Sequence, residues 1–569
     1  MTALGIVGDM RITDTSDLWW KSAVIYCLDV ETFLDADGDG IGDLEGLAQR
    51  IDYLADLGIT CLWLMPFYPS PDRDDGYDIK DYLSVDERLG DLGRMVEILR
   101  LAHDRGLRVI ADLVVNHTSD QHPWFRRSRA EKDPAKNPYR DYYVWRADEP
   151  GDTSAQVVFP DQEDSIWTKD DKTGEWYLHH FYRHQPDLNL DHPEVVAELL
   201  RAVGFWLELG FDGFRVDGVP FFAQGPGKEG GDDLVDPHAF MKQLRDFVQL
   251  RRGDAVTLGE VNLAHEDQLA FFGGDAADEF HMQFDFIGMQ ATYLSMARQD
   301  ARPLATALQE RPELHRTNQW ATFLRNHDEL TLDKLSDAER QEVFDAFGPE
   351  ERMQVYGRGL KRRLPTMMGG EPRRLRMAYS LLFSLPGTPT LYYGEEIGMG
   401  EDLAAEGRMA VRTPMQWSAT KNGGFSSARP SRLVQPVVGD GYGPEHVNVM
   451  DQLHDPDSLL SWIRTLIRIR HACPELGWGE LEILEHDAGP AVLAHRLSLE
   501  STAVVAVHNL GADPVTVTVP THGFGGDPRV VDLVTHDVLA APGTEVPCAL
   551  EGYGVRWLRV RPTGDLAVP

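Results

Sequence analysis

The stretch Leu107-Arg-Val-Ile-Ala-Asp-Leu-Val-Val115, running into Asn116-His117, decides the fold. It is apolar at nearly every position, and continuous apolar runs are strands buried on both faces, as in a parallel sheet. Seven further runs share this character: Ala23–Leu28, Thr60–Met65, Asp212–Val216, Ala255–Leu258, Met282–Phe286, Ala321–Leu324 and Thr390–Tyr393. Helical patterns lie between them at Asp43–Leu57, Leu92–Arg105 and Pro193–Leu209. The last carries Val195, Val196, Leu199, Leu200, Val203 and Leu207 at helical spacing. Eight buried strands alternating with helices predict an α/β chain built on a (β/α)8 TIM barrel.

About a hundred residues separate the third run from the fourth. A structureless loop of that length is improbable in a folded domain. This segment, rich in Asp, Pro, Trp and Tyr, is therefore predicted to be an inserted subdomain after strand 3. Beyond Arg470 the pattern turns to short β segments, Ala491–Arg496, Ser501–His508, Pro514–Val519 and Gly554–Val560, separated by Gly and Pro. They predict a C-terminal all-β sandwich. The expected division is a barrel over 1–117 and 188–475, an insertion over 118–187 and a sandwich over 476–569. Trp478 and Trp557 are expected in the core or an interface.

The 569 residues carry 55 basic and 92 acidic side chains, a net charge of −37. Such a surface argues against nucleic acid and against anionic membranes. With 42% hydrophobic residues the chain can fill a core. Cys27, Cys61, Cys473 and Cys548 form no CxxC pair, which excludes a zinc knuckle and fits a reducing compartment. The first residues lack a signal-peptide apolar stretch, and no window of 18 apolar residues exists. A cytoplasmic protein is expected.

Barrel enzymes carry their chemistry where strands end at the C-terminal rim. Three runs end on a carboxylate there: Arg215-Val-Asp217, Gly259-Glu260 and Asn326-His327-Asp328. Glycoside chemistry uses this equipment. One carboxylate attacks the anomeric carbon or activates water, and a second, of raised pKa, protonates the leaving oxygen. Arg215 beside Asp217 is expected to keep that carboxylate ionised.

The segments DLVVNH, GFRVD, GEVN and RNHD, with QPDLN at Gln185–Asn189, resemble the sequence regions of glycoside hydrolase family 13, the α-amylase family. The resemblance runs from about Trp19 to the chain end. It implies a retaining mechanism with Asp217 as nucleophile, Glu260 as acid/base and Asp328 as transition-state stabiliser. It also implies that Asp74 and Tyr77 grip the non-reducing glucose, and that His117, His327 and Arg412 bond its hydroxyls. Phe159 and Gln185 are further substrate-site candidates. Within the family the chain looks most like the trehalose synthase (maltose α-D-glucosyltransferase) branch. PFYPSPDRDDGYDI, NHTSDQHPWF, NHDELTL and VRTPMQW carry that likeness. The implied reaction interconverts maltose and trehalose through a glucosyl-enzyme, and Glu329 resembles an acceptor-site residue. The alternative is an α-glucosidase or transglucosylase with a different acceptor. A non-catalytic sugar-binding barrel is disfavoured because all three acids are kept. Relatives of the branch commonly associate into homo-oligomers, and the sequence leaves the oligomeric state of this chain open.

Several positions depart from the branch. Phe221 stands where a Tyr is usual, Asp333 where a Glu is usual, and Met409-Ala410 where Asp-Gly is usual.

Asp35-Ala-Asp37-Gly-Asp39-Gly-Ile41-Gly-Asp43 sets oxygens on alternate residues around glycines, as a hard cation requires. Gly46 at the twelfth position excludes an EF-hand. The run is similar to the calcium loop of many α-glucosidase-like members, which implies structural Ca²⁺ with Ile41 giving its carbonyl. Some relatives hold a second Ca²⁺, whose ligands would match Asn116, Asp187 and the carbonyls of Phe221 and Phe222. Gln224 replaces a usual Glu there. No organic cofactor is expected.

Overall fold

Eight parallel strands close into a barrel in the computed structural model, which describes residues 18–223, 237–520, 529–539 and 545–561. They are β1 (Ile25–Leu28), β2 (Cys61–Leu64), β3 (Arg108–Leu113), β4 (Gly213–Val216), β5 (Val256–Gly259), β6 (Met282–Phe284), β7 (Gln319–Phe323) and β8 (Thr388–Tyr392). Neighbours in sequence are neighbours in the barrel, and β8 closes on β1. Each strand overlaps one apolar run. The ends differ where pairing, rather than hydropathy, sets the limit: β3 stops at Leu113, the last residue paired with β4.

The helices follow their patterns closely. Leu44–Leu57 starts at Asp43, whose carboxylate accepts from Gly46 N at 2.7 Å, and stops at Gly58 with φ 93°. Pro193–Leu209 begins on Pro and ends before Gly210.

The insertion leaves and re-enters the barrel at one point. A bridge pairs His117 with Asp187, and Leu188 N donates to Asn116 O at 2.8 Å. Between these ends lie the helix Pro123–Ser128 and a small antiparallel sheet of Trp145–Arg146, Trp167–Lys169 and Trp176–Leu178. Arg140 lies over the Trp145 ring at 3.7 Å.

The C-terminal part holds β9 (Glu480–Ile483), β10 (Val492–Leu499), β11 (Thr502–Asn509), β12 (Val515–Pro520), β13 (Arg529–Asp532), β14 (Val538–Leu539), β15 (Glu545–Leu550) and β16 (Val555–Arg561). Six of them form one sheet in the order β9-β10-β11-β16-β13-β14, and β12 pairs with β15 in a second. Alternation along a strand divides the work between two faces. Val505, Val507 and Leu558 face β12 and β15 in a separate apolar core. Val504, Ala506 and Trp557 face the barrel and join its core. Trp557 is fully buried, and its indole N–H donates to Ser380 Oγ at 2.8 Å on the barrel helix Pro372–Ser384. The sandwich is thus docked through its larger sheet. All four cysteines are free and buried. No helix among the described residues is long and apolar enough to cross a membrane.

Candidate active site

Strand register assembles the site before any loop contributes. Asp112 on β3 lies level with Arg215 on β4, which lies level with Leu258 on β5. Asp217 stands two residues beyond Arg215, so both side chains share one face of the strand. Glu260 follows Gly259, the partner of Val216. The Arg215 guanidinium therefore receives three carboxylates. Nη1 reaches Asp112 at 2.7 Å and Asp217 at 2.6 Å, and Nη2 reaches Glu260 at 2.8 Å. Gly218 N also donates to Glu260 at 3.0 Å.

The third acid is held from another side. Asp328, past β7, takes Arg408 Nη1 at 2.7 Å and Arg412 Nη2 at 3.0 Å on the same oxygen. Its other oxygen lies 3.2 Å from His327 Nε2. Arg408 also reaches Asp74 at 2.5 Å, and Gln185 Nε2 donates to Asp74's second oxygen at 2.8 Å. The Tyr77 hydroxyl lies 2.7 Å from His327 Nε2 and donates to Asp112 at 3.0 Å. The Tyr77 and His327 rings stack at 5.6 Å.

These groups surround a cavity of about 340 Å³, within the range for small-ligand sites. Asp74, Tyr77, His117, Phe159, Asp217, Glu260, Asp328 and Glu329 line it. His117 Nε2 is buried and has no protein partner among the described residues. The Asp74–Arg408 pair closes one end, and a second cavity of about 690 Å³ lies beyond it.

Four sequence candidates stand behind this wall instead of in it. Arg412 is fully buried and spends its guanidinium on Asp75, Asp328 and His327 O. Gln185 orients Asp74, Arg215 ties the acids, and His327 braces Tyr77 and Asp328. Two cations do face the cavity, Arg358 and Arg408, and the sequence reading missed both. Neither ends a barrel strand, and the only cue to Arg408 was its place four residues before Arg412.

Arg215 does not secure the charge of Asp217 as expected. Burial pushes the Asp217 carboxyl up to about 6, against the pull of Arg215, because Asp112 and Asp328 are also near. Burial likewise pushes Glu260 up to about 7, with Arg215 opposing and Asp217 adding. For Asp328, burial acts upward, but His327, Arg408 and Arg412 outweigh it and hold the carboxyl well below its usual range. Burial keeps His327 neutral, so the two arginines carry the opposing charge.

The metal candidates behave differently from one another. Carboxylate oxygens of Asp35, Asp37 and Asp39 lie within 4.8 Å of one another. Asp35 accepts from Gly38 N and Gly40 N, Asp37 from Asp39 N, Asp39 from Ile41 N and Asp43 from Ala36 N, so all four acids also shape the loop. Gly40, at φ 110°, sits where a Cβ would lie 2.0 Å from Arg432 O. Asp187 is occupied elsewhere: one oxygen accepts from Asn116 Nδ2 at 3.1 Å and the other meets His180 Nδ1. Phe221 lines the cavity, Phe222 packs against Phe240, and Gln224 lies outside the described residues.

A closed parallel barrel with three acids around a one-ended pocket at its C-terminal rim defines a barrel enzyme with carboxylate chemistry. The chain belongs to the α-amylase family: the family's catalytic-domain model (Alpha amylase, catalytic domain) matches residues 28–344 and 357–479. The model Sucrose hydrolase-like, C-terminal domain matches residues 502–559. The chain is 39% identical to the trehalose synthase of Pimelobacter sp. (strain R48), over 95% of this chain and 96% of that one. It is 39% identical to the trehalose synthase/amylase TreS of Mycolicibacterium smegmatis (strain ATCC 700084 / mc(2)155), over 97% and 94%. Among solved structures, the trehalulose synthase MutB from Pseudomonas mesoacidophila MX-45 superposes with a TM-score of 0.75 at 28% identity, covering 95% of this chain and 99% of that one.

The contrast among the acids is measurable as stability. A carboxylate whose pKa is raised by folding loses stability as pH rises through the folded value. At pH 8 Glu260 is charged at this cost, so Glu260→Gln is expected to be more stable than the wild type by about 1–2 kcal/mol and to melt at a higher temperature. Asp328→Asn leaves Arg408 and Arg412 with only Asp74 and Asp75 as acid partners, and is expected to lose about 1.5–3 kcal/mol. Calorimetry at pH 8 decides: melting points in the reverse order would contradict this electrostatic arrangement.

Proposed function

We propose that this chain is a retaining glucosyl-transfer enzyme that interconverts maltose and trehalose. The observation that carries the reading is the convergence of Asp217, Glu260 and Asp328 on one pocket that ends at Asp74 and Arg408. Asp217 and Glu260 share one guanidinium, which holds them side by side. That suits a retaining pair, whereas an inverting pair stands apart to admit a water.

In this reading Asp74, Tyr77 and His117 hold the non-reducing glucose. Asp217, mostly ionised at pH 7, attacks its anomeric carbon. Glu260, whose carboxyl burial raises, gives its proton to the leaving oxygen. Asp328 stays charged and stabilises the oxocarbenium-like transition state. The freed glucose remains in the acceptor half, turns, and returns through its anomeric hydroxyl. Glu260 takes that proton back, and the Asp217 carboxylate is restored.

One observation favours the neighbouring reading, release to water or to another acceptor. The acceptor-side Asp333 carboxylate is already taken by Asn262, Gln290, Thr331 and Lys334.

The same proposal includes a structural Ca²⁺ held by Asp35, Asp37, Asp39, the Ile41 carbonyl and Asp43. The donors are all hard oxygens, which suits this ion. Supporting it, the Asp37 carboxyl is raised: the Asp39 N–H lowers it, but desolvation and the Asp39, Asp35 and Asp43 charges prevail. A bound cation would neutralise that crowding and fix the loop. No second cation is proposed, because Asp187 is committed to Asn116 and His180.

Three tests follow this reading. Maltose incubated with the enzyme and followed by NMR should give trehalose beside glucose, and Asp217→Asn should cut turnover by at least about 10³-fold. Glucose as the sole product refutes isomerisation, and full activity of Asp217→Asn refutes the nucleophile. The pH profile of kcat/KM should rise through about 6 as Asp217 ionises and fall above about 7 as Glu260 loses its proton; a flat profile from 5 to 9 counts against both roles. Chelation should lower the melting temperature, added Ca²⁺ should restore it, and Asp37→Ala should abolish the response. A melting temperature indifferent to chelator rejects the cation.

A further inference from the structure

Asp74 and Arg408 each line both cavities, so their ion pair lies on the boundary between them. A distant part of the chain reaches this boundary. The segments Gln354–Val355 and Gly359–Leu360 pair as a hairpin, rooted on Leu330–Thr331 just past Asp328. Its tip turns through Tyr356 and Gly357, at φ 55° and 64°, and closes with Arg358 N donating to Val355 O at 3.3 Å. Two successive left-handed residues make a turn that suits Asn-Gly or Asp-Gly. A tyrosine in the first of these places is strained, because its Cβ crowds the backbone. A residue that breaks a local rule is expected to compensate through its side chain.

The Tyr356 side chain is buried behind Arg408. It lines the second cavity and not the first. Its ring packs on Phe159 at 5.2 Å, and the Arg408 guanidinium lies over the same Phe159 ring at 5.0 Å. Its hydroxyl lies against Gly407, the residue before Arg408, where a Cβ would come within 3.0 Å of it. Burial raises the Tyr356 hydroxyl and the Arg408 charge pulls it down, as befits groups in close approach. From the same tip, Arg358 pairs with Glu329 at 3.2 Å and donates to Val158 O at 2.9 Å, which ties the hairpin to the insertion.

Resting on the glucosyl-enzyme reading above, we infer that Tyr356 is a positioning residue: it seats Arg408 opposite Asp74, and so fixes the closed end that receives the donor glucose. It acts through Arg408, because it stands behind the partition and not in the first cavity. The two acids that Arg408 serves depend on it unequally. Asp328 keeps Arg412 if Arg408 shifts, whereas Asp74 keeps only the neutral Gln185. Loss of the seat therefore weakens the hold on the donor more than it slows the chemistry.

The test is the steady-state consumption of maltose. Tyr356→Asn suits the turn and removes the ring, so KM should rise about tenfold while kcat stays within about threefold. A partly unfolded preparation lowers kcat and leaves KM where it was, so this split separates positioning from damage. An unchanged KM in Tyr356→Asn overturns the inference and leaves the proposed reaction standing. Tyr356→Phe keeps the ring and should hold KM within about twofold of the wild type; a rise as large as that of Tyr356→Asn overturns the seat. In Arg408→Ala, adding Tyr356→Asn should raise KM no further, because the group it positions is gone; a second rise of about tenfold overturns the inference. If the wild type leaves maltose unconsumed, the proposed reaction fails, and glucose binding by calorimetry takes the place of KM. Weaker binding in Tyr356→Asn than in the wild type and Tyr356→Phe supports the inference, and equal binding in all three overturns it.

Discussion

One guanidinium organises the site. Arg215, at the centre of the barrel rim, is shared by Asp112, Asp217 and Glu260. A buried cation facing three carboxylates leaves negative charge over, and low dielectric makes that surplus expensive. Burial, with that surplus added to it, raises Asp217 and Glu260. Asp328, paired with two arginines that also hold Asp74 and Asp75, stays charged. The division of labour among chemically similar side chains is therefore set by how many cations each can claim. A more stable arrangement would pair every charge, and would leave no acid able to exchange a proton near neutrality.

Much of this was legible in the sequence, for definable reasons. Barrel strands are buried on both faces, so hydropathy alone marked all eight. Asp217, Glu260 and Asp328 were visible because they end strands, where position along the chain translates directly into position at the rim. Loop residues lack that translation. Arg412 and Arg408 lie four residues apart in one short loop, and only folding shows that Arg408 faces the cavity while Arg412 braces it from behind. Gln185 and His327 were found for the right neighbourhood, but they act by orienting Asp74, Tyr77 and Asp328. The charge of Asp217 could not be judged from Arg215 alone, because Asp112 is remote in sequence and adjacent only through strand register.

The outer parts of the molecule hold the rim in place. The insertion is pinned where it leaves β3, so Phe159, Phe181 and Gln185 arrive as one unit against the barrel. The sandwich docks on the helix Pro372–Ser384 through Trp557, and that helix runs into β8, whose following loop carries Arg408 and Arg412. Stability far from the pocket is thus connected by continuous packing to the residues that shape it.

The partition formed by Asp74 and Arg408 has a broader implication. Two chambers, about 340 and 690 Å³, meet at this single ion pair. While it stands, a polymer has nowhere to run: a chain can offer its tip but cannot thread through. How much of a glucan the pocket admits would then be set by a dead end in space, and not by any property of the bond that is broken.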